Sequence, residues 1–77
     1  MPRIEAKLSI ENRLQEFRNA RSITQQELAE AIDVTRATVI AIEKGNYNPS
    51  LELAFRLAMY FQTKLENIFF IGESIHE

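Results

Sequence analysis

The chain has 77 residues, no cysteine, and 11 acidic against 9 basic side chains, for a formal net charge of −2. That length holds one domain with a small core, and the missing thiols exclude a disulfide framework, a thiolate metal site and a cysteine nucleophile. Hydrophobic residues at 45% and charged residues at 26% are the proportions of a folded domain, not a disordered one. No apolar run approaches the ~20 residues needed to span a bilayer, and Arg3, Glu5 and Lys7 interrupt any signal-peptide core.

In chain order, residues 3–8 alternate apolar and polar, which is the period of a half-buried strand or a loose N-terminal arm (1–8). Ser9 then reads as an N-cap, with Ile10, Leu14 and Phe17 at helical spacing up to about Arg21. Thr24 followed by Glu27 is a capping box, opening a helix from about Gln25 to Ile32. Thr35 caps a third helix that Gly45 closes as the C′ residue. Asn48-Pro49-Ser50 is a loop that hands over to a fourth helix capped by Ser50, whose apolar period runs through Phe61. Thr63 with Glu66 is a further capping box, opening a short helix through about Phe69. The tail from residue 70 to 77 begins apolar and β-prone, so a short strand is open there. The expected fold class is all-α, a compact five-helix bundle with short terminal β-strands left open.

Leu14, Phe17, Ile23, Leu28, Ile32, Val34, Val39, Ile42, Leu51, Leu57, Phe61, Leu65 and Ile68 form the expected core. Leu53, Tyr60, Phe69, Phe70 and Ile71 exceed what so small a core requires, and are candidates for a homodimer contact or for packing of the tail. An enzyme is not expected, because the chain offers one histidine, His76, and no nucleophile–base pair or metal-ligand spacing; neither a cofactor nor a metal is implied.

Charge is unevenly distributed. Residues 1–44 balance seven basic against seven acidic side chains, so the whole surplus of −2 lies after Gly45. Net charge bears on solubility and steering, whereas a binding face depends on where charges sit. The Asp33-Val34-Thr35 link between the second and third helices is too short for an antiparallel pair. Two helices so joined cross steeply, leaving the outer face of the later one free to enter a major groove.

Thr24-Gln25-Gln26-Glu27-Leu28-Ala29, Val34-Thr35-Arg36, Ile42-Glu43-Lys44-Gly45 and Tyr47-Asn48-Pro49-Ser50-Leu51, in this order and spacing, closely resemble the Cro/CI-type helix-turn-helix repressors. The likeness is to their small single-domain bacterial and phage members and spans about Asn12 to Phe69. It implies a lambda-repressor-like domain over 9–69, with the motif at 24–44, and a transcriptional regulator working as a homodimer on a two-fold operator. Double-stranded DNA is the implied partner, a regulatory protein partner is open, and a cytoplasmic, nucleoid-associated place follows. By the same resemblance Thr24 and Gln25 contact phosphate at the start of the second helix, and Lys44, Asn46 and Tyr47 form a second phosphate clamp. Thr35, Arg36, Ala37, Ile40 and Ala41 take the outward positions of the recognition helix.

Arg36 is the strongest base reader, since guanidinium matches the two acceptors of guanine, with phosphate as its alternative target. Positions 37, 40 and 41 are often polar in such regulators; here they are apolar, which favours thymine methyls and DNA shape, or a protein-facing role. Arg18 and Glu43 resemble the family's structural ion pair between the first helix and the end of the third. Arg13 and Arg21 read as a solvated helix face, with DNA proximity as the alternative. The rival function is an antitoxin-like interaction module that binds DNA secondarily.

Overall fold

The computed structural model describes residues 3–4 and 8–72. Within them the order is β1 (Ile10–Asn12), α1 (Leu14–Ala20), α2 (Gln25–Ala31), α3 (Arg36–Glu43), α4 (Leu51–Tyr60), α5 (Leu65–Ile68) and β2 (Phe69–Ile71). Five short helices surround one core, and the two strands close it as an antiparallel pair, with Ile10 opposite Ile71 and Asn12 opposite Phe69.

The N-terminal reading needs correction. Ser9 caps nothing and Ile10 lies in β1; α1 starts at Leu14, five residues after the expected cap. The reason is distant pairing: Gly72 N–H donates to the Ser9 carbonyl and Arg13 N–H to that of Ile68, at 2.6 and 2.8 Å. This ladder outweighs local helical periodicity. Asn12 then takes over the start of α1, its Oδ1 accepting from Leu14 N–H at 3.0 Å while its Nδ2 donates to the Ile42 carbonyl at 2.9 Å. Of the expected N-terminal strand, Ile4 and Leu8 are exposed. Residues 5–7, like His76 and the rest of the tail from 73, lie outside the described residues.

The caps of α2, α3 and α4 are where the sequence puts them. Thr24 Oγ1 accepts from Glu27 N–H at 3.0 Å and Glu27 Oε1 accepts from Thr24 N–H at 2.8 Å, completing the box. Thr35 Oγ1 accepts from Thr38 N–H, and Ser50 Oγ from Leu53 N–H. The expected box at Thr63 and Glu66 does not form: α5 begins one residue later with Lys64 in the cap position and no side-chain cap. Thr63 N–H is already committed to the Ala58 carbonyl at 3.0 Å, so Glu66 has no cap N–H to reach.

That commitment is part of a recurring device. Each of α1 to α4 ends with a left-handed residue: Ser22 (φ 56°), Asp33 (62°), Gly45 (78°) and Gln62 (54°). After each helix the paired 5→2 and 6→1 backbone bonds of a Schellman motif are present, as in Gly45 N–H to Ile42 and Asn46 N–H to Ala41, both 2.9 Å. Only Gly45 adopts this conformation without the cost of a Cβ. A left-handed L-residue costs roughly 1–2 kcal/mol, and glycine's extra unfolded-state entropy returns about 0.5–1 of that. Gln62→Gly is therefore expected to stabilise the fold by about 0.5–1 kcal/mol, raising Tm by about 2–8 °C in a thermal melt.

Leu14, Leu28, Val39, Ile42, Leu57 and Ile68 are fully buried, with Phe17, Ile23, Val34 and Leu65 packed around them. Leu51, expected in the core, is instead 70% exposed. Leu53 and Phe69, candidates for a dimer contact or for packing of the tail, are buried within the chain. Tyr60 and Phe70 are half-buried; among the candidates for that contact only Ile71 stands exposed.

Candidate nucleic-acid interface

Helix α3 has two faces of different chemistry. Val39 and Ile42 point into the core, while Arg36 and Ala37 are exposed and Ile40 and Ala41 half-buried. At 3.6 residues per turn, Arg36, Ile40 and Lys44 lie in one outward row, with Ala37 and Ala41 in the next. The rise per residue separates Arg36 from Lys44 by about 12 Å, which is the width of a B-DNA major groove. The row is thus basic at both ends and apolar in the middle.

The turn sets how this face is presented. Asp33 takes the left-handed conformation and Val34 N–H bonds the Ala29 carbonyl at 2.9 Å. Val34 packs against the core. Two helices joined by this connection cannot fold back on one another, so α3 projects past α2. Asn46 and Tyr47 are exposed directly after the end of α3.

Beside the start of α2 lies a shallow polar groove lined by Asn19, Ser22, Thr24, Gln25, Gln26 and Arg36, among others. Asn19 and Ser22 have no mark in the sequence beyond their polarity, and Gln26 has only its place in the Thr24–Ala29 motif. Thr24 is exposed and Gln25 half-buried. The first-turn N–H groups of α2 have no carbonyl one turn back to bond and form a weakly positive rim. Gln25 is not wholly free, because its Nε2 donates to Glu43 Oε1 at 3.1 Å.

That bond joins α2 to an ion pair beneath the site. Arg18 Nε donates to Glu43 Oε2 at 2.7 Å and Nη2 to Glu43 Oε1 at 3.1 Å, in fork geometry. Nη1 donates to the Ile23 carbonyl at 3.0 Å. Only 11% of the Arg18 side chain and 5% of that of Glu43 remain exposed. Hydrogen bonding to Glu43 raises the Arg18 guanidinium above its ordinary pKa, burial opposes the shift, and the carboxylate's charge adds to it. Because the shift is upward on a cation, its stabilising effect is present below the ordinary arginine value and is lost as pH rises above it. The pair locks α1, α2 and α3 together and offsets a carboxylate that would otherwise face an incoming polyanion.

Arg13 and Arg21 are both exposed, as a solvated helix face requires, and each also makes a contact within the fold. The Arg21 guanidinium donates to the Tyr60 and Phe61 carbonyls at 3.1 and 3.0 Å, capping α4, and lies 5.1 Å from the Phe61 ring centre. Arg13 sits over Phe70 at 4.6 Å. Arg56 similarly donates to the Ile32 carbonyl at the end of α2.

Comparison with known proteins agrees with this geometry. A helix-turn-helix family model matches residues 14–68. An uncharacterized HTH-type transcriptional regulator of Methanocaldococcus jannaschii is 48% identical over 60 residues, covering 78% of this chain and 91% of that protein. The uncharacterized HTH-type transcriptional regulator YgzD of Bacillus subtilis is 42% identical over 64 residues, covering 83% and 97%. Among solved structures, the restriction-modification controller protein C.AhdI from Aeromonas hydrophila is similar at 30% identity with a TM-score of 0.65, covering 70% of this chain and 78% of that one. With α2, the turn and α3 all inside the matched span, the chain belongs to the Cro/CI-type helix-turn-helix family of DNA-binding transcriptional regulators.

Proposed function

We propose that this protein is a sequence-specific repressor that binds a two-fold operator as a homodimer in the cytoplasm, each α3 lying in a major groove. The observation that carries this reading is the outward row Arg36–Ile40–Lys44, held at groove width on a helix capped at both ends. Thr35, Arg36, Ala37, Ile40 and Ala41 face the base edges. Thr24, Gln25, Lys44, Asn46 and Tyr47 hold phosphates on either side. Half-site centres then stand about 34 Å apart, or a multiple of that.

The test is a titration of duplex DNA, its site found by selection from random sequence, at several salt concentrations. About six phosphate contacts give a log–log slope near −5. Lys44→Ala is expected to weaken operator and random DNA alike and make the slope shallower by about 1 per half-site. An unchanged slope removes Lys44 from the clamp.

One feature favours a second reading. Ala37, Ile40 and Ala41 make the centre of the presented face apolar, as suits an antitoxin-like module that meets a protein there. A flat salt response, with no sequence recovered by selection, supports that reading over the first.

A further inference from the structure

Three of the seven large hydrophobic side chains exposed among the described residues share one row of α4: Leu51 at 70%, Phe55 at 51% and Met59 at 75% exposure. Spacing of four residues makes them a continuous ridge. Ile71 of β2, at 59%, stands across an open apolar groove of about 380 Å³ from Leu51, floored by Ile10, Pro49, Leu65, Phe69 and Phe70. A second groove runs along the other side of the ridge, past Ala58, Thr63, Lys64 and Glu66. No residue of α2 or α3 lines either groove.

We infer that this ridge and its flanking grooves are the surface through which two copies of the chain pair. The inference rests on the dimeric reading above and assigns it a place on α4 and β2, with Ile71 at its edge and Phe69 and Phe70 in a groove floor, while Leu53 stays in the core. A ridge beside grooves of matching chemistry is self-complementary, which is what a two-fold contact demands, since the same patch must serve both partners. The area is also of the right order. At these exposures Leu51, Phe55, Met59 and Ile71 offer about 500 Å² of apolar surface per copy, against the ~800 Å² per partner of a standard interface. Glu52, Gln62, Lys64 and Glu66 supply a polar rim carrying both signs of charge. Because neither α2 nor α3 lines these grooves, pairing through them leaves both recognition helices open.

Sedimentation without DNA tests the surface directly. The unaltered chain is expected to be a dimer at about 50 µM, and Phe55→Glu and Met59→Glu to weaken self-association by about 100-fold with an unchanged circular dichroism spectrum. Ile4→Glu, an exposed apolar position off the ridge, is expected to leave it intact. A monomeric parent, or dimers undiminished by both ridge substitutions, overturns the inference; a monomer would leave the ridge to another occupant. If either glutamate variant fails to fold, Met59→Cys gives a unique thiol in a chain that has none. Its maleimide labelling should slow several-fold between 0.5 and 50 µM protein, estimates set by mass action, and concentration-independent labelling overturns the inference. Binding of a single half-site duplex separates this from the functional reading: a Phe55→Glu monomer that still binds the half-site leaves the DNA reading standing whatever the fate of the ridge.

Discussion

Glu43→Ala is expected to destabilise the domain by about 3–5 kcal/mol, because it leaves the Arg18 guanidinium buried with its charge uncompensated. Arg18 keeps only the Ile23 carbonyl, and Gln25 Nε2 loses its acceptor as well. A chain of this size has a total stability of about 4–12 kcal/mol, so the loss is about a quarter or more of what holds it folded. A thermal melt should show Tm falling by about 15–30 °C. Replacing both partners with apolar side chains, Arg18→Met with Glu43→Leu, should recover most of that, since it removes the stranded charge together with the pair. A single-variant loss below about 1 kcal/mol would mean that water screens the pair as it does at an open surface.

Arg36→Ala is expected to remove the largest single contribution to sequence reading. A bidentate contact to guanine contributes roughly 1–3 kcal/mol of discrimination. On an operator held by both protomers the two distant sites add, giving about 2–6 kcal/mol. The accompanying sign is relaxed preference at one base step in each half-site, read by repeating the site selection with the variant. An equal loss on operator and random DNA would move Arg36 to the phosphate backbone.

What the sequence shows of this fold divides by range. Caps are local, so Thr24 with Glu27, Thr35, Ser50 and Gly45 mark their helix ends within four residues of the bonds they make. The strand pair is not local: Ile10 meets Ile71 from the opposite end of the chain, and nothing near Ser9 signals that a partner awaits. Helix α4 misleads for a different reason. Apolar residues take up most of its circumference, with only Glu52 and Arg56 on a polar side, so periodicity cannot choose between Leu51 and Leu53, and packing against the rest of the fold decides. The arginines that cap helices bond to backbone carbonyls, which carry no residue identity, so the roles of Arg21 and Arg56 leave no pattern to read. The outward positions of α3 are legible as a set because the turn, the caps and the helical period together place that face.

Holding Arg13, Arg18, Arg21 and Arg56 in internal contacts leaves Arg36 and Lys44 as the cations along the outward row of α3. It also leaves the reading face almost uncoupled from the scaffold. Thr35 and Gly45 close α3 through backbone geometry, and Val39, Ile42 and Glu43 anchor it from the inner side. None of these anchors uses the side chains at positions 36, 37, 40 or 41. On the proposed reading those four side chains form a cassette: exchanging them should change the DNA sequence preferred with little effect on how the domain folds.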